Sequence, residues 1–98
     1  MGNKEEYIEK LATQLKVWES RMDDFARKAQ HEAMEQKTKL QREIAEFNVK
    51  RLEAQVKLRQ LRETSGDAWE TLVTGMDKAW GDMKETVHQV SEKFKQPR

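Results

Sequence analysis

Apolar residues in the first two thirds of the chain recur at alternating intervals of three and four, which is the seam of a helix that packs against another helix. The first half of this seam consists of Ile8, Leu11, Leu15, Trp18, Met22, Phe25 and Ala29. The second half consists of Leu40, Ile44, Phe47, Arg51, Ala54, Leu58 and Leu61. Between the halves the register advances by eleven residues instead of seven. Residues 29–40 are therefore the weakest part of the seam, where the supercoil relaxes.

Neither proline nor glycine occurs between Lys4 and Thr64. Because these residues are the strongest helix breakers, the pattern predicts one continuous helix over 4–64. Such a helix would be roughly 90 Å long and would need a partner along its seam. Its second half also carries another apolar stripe, Ala45, Val49, Leu52 and Val56, which we place a quarter to a third of a turn from the seam. Two adjoining stripes predict two neighbouring helices.

Helix-ending signals follow at Ser65-Gly66, and Asp67 with Glu70 can start a new helix. We therefore predict a tight turn at 64–67; a helix that continues through Gly66, at a cost of about 1 kcal/mol, is the alternative. Residues 67–95 then form an amphipathic helix, in which the pair Ala-Trp occurs twice, eleven residues apart. Its apolar face contains Trp69, Leu72, Met76, Trp80, Met83, Val87, Val90 and Phe94.

These elements predict an all-α fold: a coiled-coil hairpin of one long and one shorter helix, in a single unit over 1–98, that assembles into an oligomeric bundle. The C-terminal helix would fold back onto the second stripe. That arrangement leaves the apolar seam of residues 8–25 exposed, so we expect an antiparallel homodimer with a three-helix bundle at each end. Parallel dimers or trimers and another helical protein are alternatives. A lipid surface is a further, less favoured partner for the amphipathic face, because its polar side has no cationic excess.

Composition narrows the functional classes. Only 36% of residues are apolar, 38% are charged and the net charge is +1, so the chain has no basic footprint for nucleic acid. It has no cysteine, no apolar run typical of a secretory signal and no window long enough to span a membrane, from which we expect a cytoplasmic protein. Glu85/His88, His31/Glu35 and His88/Glu92 lack the further ligands of a metal site. We expect no catalytic residue and no cofactor.

The order of motifs resembles a family of small bacterial coiled-coil proteins, some of which are named stress-response proteins. The start of the family pattern is matched by Tyr7, Lys10, Leu11, Leu15 and Trp18. The end is matched by Gly66, Asp67, Ala68, Trp69, Gly75, Ala79, Trp80 and Lys84, while Met83 replaces the usual leucine. The resemblance implies a non-enzymatic protein without a cofactor. The sequence predicts a self-associating protein that acts through protein contacts, and the resemblance implies a stress-associated scaffold. Lipid-surface binding through the amphipathic helix is the alternative.

Overall fold

The computed structural model, which describes residues 2–95, consists of three helices, each antiparallel to the one before it in the chain. The helices are α1 (Gly2–Ala29), α2 (Met34–Glu63) and α3 (Asp67–Lys95), and the described residues contain no strand. Tyr7 lies beside Trp69 and Phe25 beside Phe94, so α1 and α3 run in the same direction. The result is a three-helix bundle measuring 51 × 19 × 16 Å, and the predicted all-α class is confirmed.

The chain turns between α1 and α2, so the prediction of one helix over 4–64 is wrong. The helix ends at Ala29 and resumes at Met34, inside the segment predicted to be the weakest part of the seam. Turning back lets α1 bury its own seam against the rest of the same chain. Each large apolar side chain gains about 1.5–3 kcal/mol on full burial, and several of them outweigh the few kcal/mol lost where a helix is interrupted.

One apolar core runs along the bundle axis, and all three helices contribute to it. Its buried members are Ile8, Leu11, Leu15, Trp18, Met22, Phe25, Ala29, Leu40, Ile44, Phe47, Ala54, Leu58, Leu61, Met76, Trp80, Met83, Val87 and Val90. Both predicted halves of the seam, except Arg51, and five of the eight predicted residues of the α3 face therefore meet in the same core.

The second apolar stripe of α2 faces solvent, which corrects the prediction that α3 packs on it. Val49, Leu52 and Val56 are 58%, 55% and 44% exposed, and Ala45 is exposed as well. The reason is geometric. Val49 follows the buried Phe47 by two residues, and two residues correspond to roughly 200° around a helix. The stripe is therefore about half a turn from the seam, and the predicted displacement of a quarter to a third of a turn is wrong. This stripe, called the outer stripe below, thus lies on the far side of α2 from the core.

The turn between α2 and α3 lies at the predicted place. Thr64 is the C-cap of α2, and its hydroxyl donates a hydrogen bond to the carbonyl oxygen of Gln60 at 2.6 Å. Gly66 has φ 71°, a left-handed conformation that glycine adopts without a steric penalty. The amide of Trp69 donates to the carbonyl oxygen of Gly66 at 3.1 Å as α3 begins. Local chemistry therefore fixes this second turn.

Candidate functional site

The seam of α1, predicted to bind a second chain, is closed within one chain. The side chains from Ile8 to Phe25 at seam positions are all less than one tenth exposed, because α2 and α3 cover them. The exposed apolar patch on which the expectation of dimerisation rested is therefore absent from the described bundle. Any self-association must use another surface or exchange this one between copies.

The amphipathic face of α3 is likewise occupied by protein. Met76, Trp80, Met83, Val87 and Val90 are buried, and Trp69, Leu72 and Phe94 pack against the edge of the core. The indole N–H of Trp80 donates a hydrogen bond to the carbonyl oxygen of Leu11 at 3.2 Å. Phe94 stacks on Phe25 with ring centroids 5.1 Å apart. A lipid surface could reach this face only if α3 left the bundle.

The two tryptophans of the Ala-Trp repeat have different surroundings. Trp80 is 4% exposed, whereas Trp69 lies at the end of the bundle and is partly exposed. The ring of Tyr7 meets Trp69 edge-on at 5.9 Å between centroids, and the ammonium of Lys4 lies 5.2 Å from the Trp69 ring centre. The repeat thus places one indole in the core and the other against Lys4 and Tyr7, near the start of α1.

Polar contacts between helices fix their relative alignment. Arg51 pairs with Glu19 at 3.2 Å, which joins α2 to α1 at the one charged seam position. Lys93 of α3 pairs with Glu43 of α2 at 2.6 Å. Because partly buried charges are destabilising unless they are paired, any sliding of one helix along another would be penalised.

Tyr7 donates a hydrogen bond from its hydroxyl to Oδ1 of Asp77 at 2.6 Å. Burial raises the pKa of the Tyr7 phenol well above its usual value, and the hydrogen bond to Asp77 and that residue's negative charge raise the pKa further. The neutral phenol is therefore the form that the folded state stabilises. This stabilisation is fully present below about pH 10, the pKa of an unfolded tyrosine, and is lost as the pH rises through the folded pKa.

We predict that the folded protein resists phenol ionisation. Tyr7 is the only tyrosine, so the phenolate absorbance reports this group alone. The midpoint should lie well above pH 10 in the native protein, near 10 in denaturant, and closer to 10 in an Asp77→Asn variant. The wild type should also lose stability above about pH 10 relative to Tyr7→Phe. A native midpoint at the unfolded value would contradict the described contact.

The connection between α1 and α2 (residues 30–33, called the α1–α2 connection) contains no residue that specifically stops a helix. It has neither glycine nor proline, and no described residue other than glycine has a positive φ. The last turn of α1 is closed by tighter bonds, such as His31 N–H to the carbonyl oxygen of Lys28 at 3.1 Å. Ala33 occupies the N-cap of α2 with φ −58° and ψ 152°, and no side chain caps this end. The α2–α3 connection is thus specified by Gly66, whereas the α1–α2 connection has no comparable residue.

A groove of 890 Å³ separates α1 from α3 on one side of the bundle. Its lining includes Glu9, Thr13 and Val17 from α1 and Lys84, His88 and Ser91 from α3. Both signs of charge are present and the groove is open to solvent. Nothing in this arrangement pairs a nucleophile with a base.

The weak metal candidates from the sequence do not gather into a site. His88 Nε2 lies 3.9 Å from Glu92 Oε1, and both side chains are largely exposed. Within residues 2–95, no group of three His, Cys, Asp or Glu side chains is arranged to hold a metal ion. The same part of the chain includes no helix that is both long and apolar enough to cross a membrane.

Sequence reasoning missed the turn at 30–33 and the polar contacts between helices. A faint signal for the turn was present, since Lys37 interrupts the apolar seam where small or polar residues predominate. No such signal existed for Tyr7 and Asp77, which are 70 residues apart. Comparison of the chain with protein-family models, with curated proteins and with solved structures found no match. The resemblance to small bacterial coiled-coil proteins therefore stays a prediction.

Proposed function

We propose that this chain is a non-enzymatic, self-associating helical protein that acts through contacts with other protein chains. The mode we favour is an antiparallel homodimer in which two copies exchange α1. The observation that supports it is the α1–α2 connection, which lacks helix-stopping residues although it must turn the chain. Exchange of an identical element between copies is a well-known route to dimers, and strained or poorly specified connections favour it.

Exchange would replace the turn by a continuous helix. If residues 30–33 became helical, α1 and α2 would form one rod, and α1 would enter the α2/α3 groove of the second copy. Each end of the dimer would then repeat the bundle described above, including the Trp80 bond to Leu11 and the Arg51–Glu19 pair. The only part of the structure that changes is the connection. The preference of residues 30–33 for a turn or for a helix therefore decides between the monomer and the exchanged dimer.

Concentration sets the balance between monomer and dimer. The closed monomer makes the same core contacts as the dimer. It does not lose the translational and rotational entropy that association costs, so it should dominate in dilute solution. The dimer gains helical residues at 30–33 and loses an uncapped helix start at Ala33 in each chain. Since α1 must leave the core during exchange, the two forms should interconvert slowly.

The test is a pair of substitutions at Ala33 that add the same charge. Aspartate is a strong N-cap and a poor helix-interior residue, whereas glutamate caps poorly and favours the helix. Ala33→Asp should therefore stabilise the closed form, by about 1–1.5 kcal/mol per chain relative to Ala33→Glu. Over two chains this predicts a dimer dissociation constant about 100-fold higher for Ala33→Asp.

Samples refolded at high concentration and then analysed by sedimentation equilibrium provide the measurement. The wild type and Ala33→Glu should give a dimer fraction that decays slowly on dilution, and Ala33→Asp should give mainly monomer. The proposal fails if no wild-type dimer forms up to about 1 mM. It fails equally if dimers form with the same affinity in both variants, because the connection would then have no role.

A stress-associated scaffold role and a cytoplasmic location remain predictions from the sequence and the resemblance. Lipid-surface binding through α3 also stays a prediction, and it now requires the core to open, because Trp80 and Met83 are buried. A soluble helical partner is the better supported class, since the exposed apolar residues of the bundle lie mainly on α2.

A further inference from the structure

The outer stripe of α2 has the spacing of a second coiled-coil seam. Ala45, Val49, Leu52 and Val56 are separated by four, three and four residues. In heptad terms, Val49 and Val56 take the a position, while Ala45 and Leu52 take the d position. All four are exposed in the bundle, on the side of α2 opposite the core. Packing of the core therefore does not account for the apolar residues at these four positions.

The residue types at these positions indicate the geometry of the partner. A β-branched residue at a together with leucine at d favours two parallel strands, because each shape fits the packing at its own layer of a parallel dimer. Val49 and Leu52 meet this rule, and Val56 extends it by one layer. Ala45 allows the two backbones to approach closely at the other end of the stripe.

The flanking residues discriminate between orientations. Glu46 and Glu53 occupy the e positions on one side, and Asn48 and Gln55 occupy the g positions on the other. Parallel pairing sets Asn48 opposite the e-position glutamate of a second copy, where the amide can donate to the carboxylate. Antiparallel pairing sets Glu46 against the Glu53 position of the other chain, which brings like charges together. Charge and shape thus favour the same orientation.

We propose that the outer stripe binds the outer stripe of a second copy as a short, parallel, two-stranded coiled coil. The proposal rests on the proposed function only in taking another copy of this chain as the partner. Exchange of α1 does not use the outer stripe, so the two interfaces can fail separately. Arg42 and Arg59 end the stripe, and the resulting seam of about three turns is short. The association is therefore expected to be weak and concentration-dependent.

The chain offers a matched control for the substitution test. Val49 lies in the outer stripe and is 58% exposed, and Val17 lies on α1 and is 50% exposed. Both can be changed to glutamate with little effect on the core. In the Ala33→Asp background, which disfavours exchange, sedimentation velocity should show weak dimers. Val49→Glu should abolish these dimers, whereas Val17→Glu should leave them unchanged.

Orientation is tested by single cysteines in this cysteine-free chain. Parallel pairing places the two copies of position 45 side by side, so Ala45→Cys should form a disulfide-linked dimer under mild oxidation and Val17→Cys should not. Antiparallel pairing would set position 45 opposite position 56, about 16 Å from its own copy. Cross-linking seen only when Ala45→Cys and Val56→Cys chains are mixed would overturn the proposal.

Two further results would also overturn it: no association of the Ala33→Asp protein up to about 1 mM, or equal loss of dimers in both glutamate variants. These results are distinguishable from failure of α1 exchange. If exchange fails while the outer stripe binds, Ala33→Asp will not change the dimer affinity, but Val49→Glu will.

Discussion

Replacing Trp80 with alanine should lower the free energy of unfolding by about 3–5 kcal/mol, whereas the same replacement at Trp69 should have a clearly smaller effect. Trp80 is 4% exposed and its indole N–H donates to the carbonyl oxygen of Leu11, so the change would leave a large cavity between α1 and α3. Trp69 lies at the partly exposed end of the bundle, where solvent can fill the space. Urea denaturation followed by circular dichroism measures both variants.

The size of this effect matters because small domains have total stabilities of only about 5–15 kcal/mol. The Trp80→Ala variant should therefore be partly unfolded at modest temperature. Trp80→Phe serves as a control, since it retains most of the apolar area and loses the N–H donor, and it should be much less destabilising. Equal losses for the two alanine variants would mean that α3 does not use the described face.

Leu58→Ala should destabilise the protein by about 2–5 kcal/mol, while Leu52→Ala, six residues earlier on the same helix, should change stability by about 0.5 kcal/mol or less. Leu58 is 6% exposed and lies in the core, and Leu52 is 55% exposed in the outer stripe. The chemical change is identical and both sites are helical. The difference between the two variants therefore measures the burial of each face of α2.

Urea midpoints at low protein concentration are the appropriate measurement, because self-association through the outer stripe would otherwise add to the apparent stability of the wild type. A large loss for Leu52→Ala in the monomer would show that α3 covers the outer stripe, as the sequence first suggested. A small loss for Leu58→Ala would show that the face of α2 that carries Leu58 is not buried.

The last third of the fold could be predicted from the sequence, since its signals are local. Ser65 and Gly66 stop a helix through backbone conformation, and Gly66 indeed has a left-handed φ. The apolar residues of α3 occupy one face, with charged residues around the rest. A reader of the sequence can therefore place the α2–α3 turn and identify the buried face of α3 without knowing what it packs against.

The turn between α1 and α2 could not be predicted in the same way, because no local residue requires it. Gln30, His31, Glu32 and Ala33 are compatible with a helix, and burial of distant side chains supplies the energy that interrupts it. Local patterns show that a seam must be covered. They do not show whether its cover comes from the same chain or from another.

The candidate interaction surface was visible in the sequence but was assigned to the wrong role. Apolar residues occur on two opposite sides of α2, at Phe47 and Leu58 on one side and at Val49 and Leu52 on the other. Helical periodicity alone does not rank two such stripes. The three-dimensional structure separates them, because a three-helix bundle covers one side of α2 and leaves the other to solvent.

The distance between residues 5 and 62 within one chain shows whether α1 turns back along α2, on which the whole bundle depends. Glu5 and Arg62 line the same surface groove in the bundle. Cysteines introduced at both positions can carry spin labels, and labelled chains diluted with unlabelled ones report the intrachain distance by pulsed electron resonance. In the monomeric fraction we expect a short distance, comparable with the 19 × 16 Å cross-section of the bundle. A monomer whose labels are separated by about 85 Å, the length of an uninterrupted helix between these residues, would show that α1 does not turn back along α2.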